Sequence, residues 1–196
     1  MKKLVLTLLF ACFLSFSLSA QNADINLLKS INLHRNTSLD HGFTLITDST
    51  FPLCAAIPVV MFGTGWYKND STLKQNGIMV GTSLLISATV FTSLKYTVRR
   101  DRPFVTYPEL DNVTFEGTPS FPSGHTASAF STATSLSLAY PEWYVVVPAY
   151  TWAGTVAYTR MHLGVHYPSD VLAGMIIGTG SAYLSYKIQN WMMKYF

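Results

Sequence analysis

The chain has 196 residues, of which 49% are hydrophobic and only 12% charged, and its formal net charge is +3. That length excludes a second full-sized domain, and the lack of any lysine-rich stripe with interleaved aromatics excludes a nucleic-acid binder. A mean hydropathy of +0.26 with 14% aromatic residues points instead to a membrane protein or a very apolar helical one.

The first predicted element is a leader. Lys2 and Lys3 precede an apolar run that ends near residue 20 in small residues (Ser17, Ser19, Ala20), the layout of a secretory signal peptide. The alternative is an uncleaved first transmembrane helix, for which the run is short. Residues 9–12 (Leu-Phe-Ala-Cys) resemble a lipoprotein processing site in poor context. With Cys12 in the leader, removal of residues 1–20 leaves Cys54 as a single thiol and no internal disulfide.

Residues 21–50 form an N-terminal segment in which Ile25, Leu27, Leu28, Ile31 and Leu33 predict a short amphipathic helix, lying on a membrane surface or capping the domain. Turns follow at residues 36–38 and 48–50. His34 and His41 fall here and read as surface or capping residues, with no partner ligand at metal-binding spacing.

The remaining domain, 51–196, carries five apolar segments at about 51–66, 77–98, 123–140, 143–160 and 170–190. Their length and continuity predict helices, and no period-two alternation suggests a strand. The fold class is therefore all-α: a bundle of five transmembrane helices after the signal peptide or first transmembrane helix. Gly174 and Gly178, four apart, and the row Ser128, Ser131, Ser135 predict faces of close helix approach. Alternating passes bring Lys95, Ser123 and the stretch 160–170 to one side, the exterior or periplasmic one if the leader crosses outward. Lys68, Lys74, Lys187 and Lys194 fall on the other side, so the positive-inside rule is only weakly obeyed.

Four of the five arginines and three of the five histidines lie between residues 99 and 166, in short blocks separated by apolar runs. Pro122-Ser123-Gly124-His125 opens a helix whose free N–H groups and dipole can cradle an anion. Ser123 is there either a hydroxyl donor to that anion or a plain N-cap. His125, in the first turn, is placed to act as a general acid. Pro168 starts the last helix, with His166 just ahead of it and Asp170 in its first turn. A carboxylate at that spacing can fix the imidazole tautomer and leave the other nitrogen as a nucleophile. Lys95, Arg102 and Arg160 supply fixed charge for phosphate oxygens. Arg99 and Arg100 read as snorkelling or headgroup-contacting residues at a helix end, and His162 as a wall or interface residue.

These blocks, Lys95-x6-Arg102-Pro103, Pro122-Ser123-Gly124-His125 and Arg160-x5-His166-x3-Asp170, resemble the three-part signature of the type 2 phosphatidic-acid phosphatase superfamily. That group includes membrane lipid phosphatases, bacterial acid phosphatases and vanadium haloperoxidases. Thr159 stands where the family commonly has serine, which retains the hydroxyl. The resemblance implies metal-independent hydrolysis without a cofactor. In that scheme His166 is the nucleophile forming a phosphohistidine, Asp170 orients it, and His125 is the acid. Lys95, Arg102, Ser123, Gly124 and Arg160 hold the phosphate.

The expected function is hydrolysis of a lipid phosphate or diphosphate at the outer or periplasmic face of a membrane. Candidate substrates are a polyprenyl pyrophosphate, phosphatidate, phosphatidylglycerol phosphate or a lipid A phosphate. The alternatives are a secreted soluble acid phosphatase acting on small phosphomonoesters and, at greater distance, a phospholipid-binding protein without catalysis.

Overall fold

The computed structural model describes residues 22–195, which are helical wherever they are regular. The expected leader at residues 1–20 lies outside them. Helix α1 covers residues 22–32, and a 3-10 turn at Thr37–Leu39 leads into α2 (Asp40–Asp48) and α3 (Thr50–Tyr67). Helix α4 (Ser71–Val98) and the single turn α5 (Pro103–Thr106) precede a long irregular loop. Helices α6 (Gly124–Ala139), α7 (Trp143–His162) and α8 (Pro168–Tyr195) complete the chain.

The expected turns have physical causes. The Asn36 side chain accepts from the Ser38 N–H to cap the 3-10 turn, and Ser49 alone separates α2 from α3. Helix α4 begins at Ser71, six residues before the 77 expected from sequence, because the Asp70 carboxylate accepts from the Leu73 N–H (3.0 Å) as an N-cap. Gly77 is therefore interior to the helix. A Cβ there would sit 2.8 Å from the Phe62 nitrogen, so this glycine lets α3 and α4 touch.

Helix α6 is the centre of the bundle. Most of its residues from Gly124 to Ser135 are buried, and it packs against α3, α4, α7 and α8. Small residues allow the approach. Ser131 Oγ meets Ser83 Oγ of α4 at 2.5 Å, and a Cβ on Gly174 of α8 would lie 2.7 Å from the Ser123 carbonyl. A Cβ on Gly178 would meet the Ala127 carbonyl and lie 2.7 Å from the Ser131 nitrogen. The expected Gly174/Gly178 contact face is thus the α6–α8 seam. Since lipid supplies no hydrophobic drive between helices, close van der Waals packing must hold that seam. We expect Gly178→Ala to destabilise the fold by about 1–3 kcal/mol through overpacking, read as a lower melting temperature in detergent. Gly180→Ala, with nothing within 4 Å of its Cβ, should leave it unchanged.

The N-terminal segment caps one end of this bundle. Ile25 and Leu28 of α1 form a buried cluster with Leu110 and Tyr167. Asn32 donates to the carbonyls of Asp111 and His162 and accepts from the Asp111 N–H. His162 Nε2 lies 2.8 Å from Asp40 Oδ1, and its ring meets Phe43 edge-on, so it docks α2 onto α7. His34 and His41 are exposed.

Among the described residues, two stretches are long and apolar enough to cross a membrane, Thr37–Tyr67 and Ser71–Thr106, with mean hydropathy of 1.6 and 1.7 over their best windows. Only 17% and 28% of those windows are buried, so their apolar side chains face outward.

Candidate active site

The end of α4, the starts of α6 and α8 and the end of α7 converge at one end of the bundle. There a cavity of about 260 Å³ is lined by Lys95, Arg102, Gly124, His125 and His166, together with Glu116, Thr118 and the rings of Phe51, Phe91 and Tyr96. Gly164 takes a left-handed φ of +73° in the α7–α8 connection, a turn that glycine adopts without strain. That turn brings His166 back over the end of α7, and its N–H donates to the Arg160 carbonyl (3.2 Å).

His166 and Asp170 are 3.5 Å apart, Nδ1 to Oδ2. Asp170 is wholly buried and its carboxylate is fully engaged. Oδ2 accepts from Ser120 Oγ (2.5 Å) and the Tyr167 N–H (3.1 Å), while Oδ1 accepts from Arg100 (2.6 Å). On the far side of the ring, Arg102 Nη1 stands 3.3 Å from His166 Nε2. A guanidinium can only donate, so this contact favours a lone pair on Nε2 and the proton on Nδ1, towards the carboxylate. Burial, reinforced by the Arg160 and Arg102 charges and opposed by Asp170, pushes the His166 imidazole down to about 3. It is neutral at ordinary pH, the form in which an imidazole can act as a nucleophile.

This shift has a sign. A histidine at 6.5 when unfolded and about 3 when folded takes up protons preferentially in the unfolded state, so its contribution is intact above pH 6.5 and is lost as pH falls towards 3. We expect the melting temperature to fall across that window, at no more than about 1.4 kcal/mol per pH unit from this group. His166→Asn should flatten the slope, and an unchanged slope would remove His166 as its source.

The cations are buried too. Arg160 is 1% exposed; it donates to Thr47 Oγ1 (2.8 Å) and to Glu116. Its Nε has no partner among the described residues. Arg102 donates from Nε to the Thr118 carbonyl (2.8 Å) and from Nη1 to the Val165 carbonyl (2.9 Å). Lys95 donates to the Pro119 carbonyl (2.5 Å). Ser123 is fully buried as the N-cap of α6, its Oγ 3.4 Å from the Thr126 N–H and 2.9 Å from Thr126 Oγ1. Gly124 faces the Phe91 ring, which a Cβ would meet at 3.2 Å. Among the described residues, no group of three or more His, Cys, Asp or Glu is gathered in metal-binding geometry.

The PAP2 superfamily pattern matches residues 76–194, more than half of the chain. The chain belongs to the PAP2 superfamily. Its PAP2 relatives include an undecaprenyl-diphosphatase of Sulfolobus acidocaldarius, 31% identical over 122 residues, covering 60% of this chain and 57% of that protein. A lipid A 1-phosphatase of Rhizobium etli is 30% identical over 146 residues, covering 67% of this chain and 62% of that protein. The chain thus spans less than two thirds of the length of these curated relatives. Among solved structures, LpxE of Aquifex aeolicus superposes with a TM-score of 0.70 at 26% identity, covering 84% of this chain and 95% of that one.

All eight residues singled out from the PAP2 motifs are thus gathered at one end of the bundle. Four others belong with them and were not singled out. Arg100, read as a helix-end residue, instead pairs with Asp170 and Asp24 and stacks on the Tyr167 ring at 3.7 Å from its centroid. Its position five residues after Lys95, where the chain leaves α4, turns it inward. Ser120, three residues before Ser123, could have been suspected from its nearness to the motif. Glu116 and Asp24 carry no local signal, since their partners are cations and helix ends distant in sequence.

Proposed function

We propose that the protein is a membrane-embedded lipid phosphate phosphatase that works through His166. One observation carries this reading: the charged cavity and an apolar groove share two lining residues. Phe51 and Phe91 line both the cavity and a groove of about 680 Å³ between α3 and α4. Most of the remaining lining is apolar, with Cys54, Pro58, Val59, Phe62, Leu84 and Leu85 among it. A phosphate on the cations with its ester oxygen towards the phenylalanines would lay an acyl or prenyl tail along α3. The relatives' names, a prenyl diphosphatase and lipid A phosphatases, agree with a substrate of that form.

In the reaction, His166 Nε2 attacks phosphorus while Arg102, Arg160 and Lys95 neutralise the oxygens, and the N-terminus of α6 at Ser123–Gly124 adds backbone donors. The P–O bond to the lipid breaks, and His125, which takes up a proton as the substrate's negative charge enters the cavity, gives that proton from its imidazolium form to the leaving oxygen. His125 then takes a proton from water, which attacks the phosphohistidine and frees inorganic phosphate and His166.

A membrane setting is supported by exposed apolar side chains such as Val59, Val60, Leu85, Ile176 and Leu184, which water would not favour at that density. Trp66, Tyr67, Trp143 and Tyr144 lie exposed at the end remote from the cavity, where aromatic rings commonly mark a membrane interface. Lys68 and Lys74 share that end. We infer that it faces the cytoplasm, with the cavity at the periplasmic or exterior face.

The test is a substrate panel in detergent with chelator present: a prenyl diphosphate, phosphatidate, phosphatidylglycerol phosphate and a soluble phosphomonoester. Preference for one of the lipids is expected. A soluble ester hydrolysed as well as every lipid would overturn the lipid reading, and loss of activity with chelator would overturn metal independence.

A further inference from the structure

The phosphate cradle already holds an anion of the protein's own. Glu116 Oε1 accepts from Arg160, and its Oε2 lies 3.6 Å from Arg102 Nη2. The same carboxylate lines the cavity with Lys95, His125 and His166. Carboxylate and phosphate present planar or tetrahedral oxygens to guanidinium forks in the same way, and two buried arginines cannot serve both fully. Resting on the phosphatase reading above, we propose that Glu116 is an intramolecular competitor for the phosphate cradle, displaced by substrate and displacing the inorganic phosphate product.

The setting suits such an exchange. Glu116 is a quarter exposed while Arg160 and Arg102 are almost wholly buried, so the carboxylate can leave for water and the guanidiniums cannot follow. It sits on irregular chain between two ties, the Val113 N–H to the Leu163 carbonyl (3.3 Å) and Arg102 to Thr118. Gly117 follows it directly, and its neighbour Phe115 is 85% exposed, so a swing of this short arc disturbs no core packing. Neither departure nor return makes or breaks a covalent bond. The exchange keeps the buried cations paired throughout, which matters because a buried charge stripped of its partner is strongly destabilising. It also limits product retention, since a phosphate held by two buried arginines and a lysine would otherwise leave slowly.

The test compares wild type with Glu116→Gln and Glu116→Asp in detergent, reading inhibition by orthovanadate and by inorganic phosphate alongside KM and kcat. Without a competing charge, Glu116→Gln should bind both anions about tenfold tighter or more, the worth of one charge-assisted hydrogen bond. KM should fall, while kcat falls or stays level as phosphate release slows. Glu116→Asp, with its carboxylate drawn back, should lie between. Unchanged or weaker anion binding in Glu116→Gln would overturn the inference, assigning Glu116 to substrate binding or to structure. Should the Gln variant not fold, hydrogen exchange in the wild-type protein decides. Vanadate should speed exchange of residues 114–117, and slower or unchanged exchange would overturn the proposal. A wild-type protein that bound neither vanadate nor phosphate would defeat the phosphatase reading itself, a different failure from equal binding by wild type and variant.

Discussion

His166→Ala is expected to abolish phosphate release, lowering kcat by about 10⁴-fold or more, the scale on which loss of a nucleophile acts when the rest of its machinery survives. The surrounding geometry makes the substitution interpretable. Asp170 keeps Ser120, Arg100 and the Tyr167 N–H as partners when the imidazole is gone, so the variant should fold and still bind vanadate. The decisive measurement is trapping after a rapid quench with a radiolabelled lipid phosphate. Wild type should carry label that is stable in alkali and lost in acid, the behaviour of a phosphorus–nitrogen bond, and His166→Ala should carry none. A labelled variant, or one retaining a substantial rate, would take the nucleophile's role from His166.

The second large effect is that of Asp170→Asn. The aspartate receives hydrogen bonds on both oxygens, from Arg100 on one and from Ser120 and Tyr167 on the other, beside His166 Nδ1. An amide can accept on only one side. With its oxygen towards the positively charged Arg100, its NH₂ faces His166 and calls for a lone pair on Nδ1, which puts the proton on Nε2 and removes the nucleophile. The equivalent change in the serine-protease triad costs about 10⁴ in kcat, and a loss of about 10³–10⁴ is expected here. KM should change little, because Asp170 pairs with Arg100 and the imidazole rather than with Lys95, Arg102 or Arg160, the cations proposed to hold phosphate. A variant with kcat intact and KM raised would instead assign Asp170 to substrate binding.

These effects rest on residues that were legible because their signals are local. A proline followed by a small hydroxyl residue and glycine announces a helix start, and a histidine four residues before an aspartate across Pro168 fixes two side chains on one turn. Five long apolar runs, with polar blocks only at their ends, leave few arrangements other than a bundle whose alternate ends collect those blocks. Even a face of close helix approach was legible at Gly174 and Gly178, though not that α6 is what it meets. Less legible was the start of α4, where Asn76-Gly77 looked like an initiation signal. Gly77 is instead a contact glycine, and the Asp70 cap lies seven residues before it.

The sequence by itself determined the helical class, the family and the motif residues that meet at one end of the bundle, because helix ends and short spacings are set by backbone geometry within a few residues. Only the tertiary structure decided how those residues are held. It turned Arg100 from a helix-end cation into the partner of Asp170, bound Ser123 Oγ as a cap and set Glu116 on Arg160 and Arg102. It also set the charged cavity beside an apolar groove, with Phe51 and Phe91 lining both. The Arg160–Glu116 and Arg100–Asp170 pairings link residues 44 and 70 positions apart. Their geometry depends on where packed helices cross, and that follows from the fit of many small side chains together rather than from any one stretch of chain.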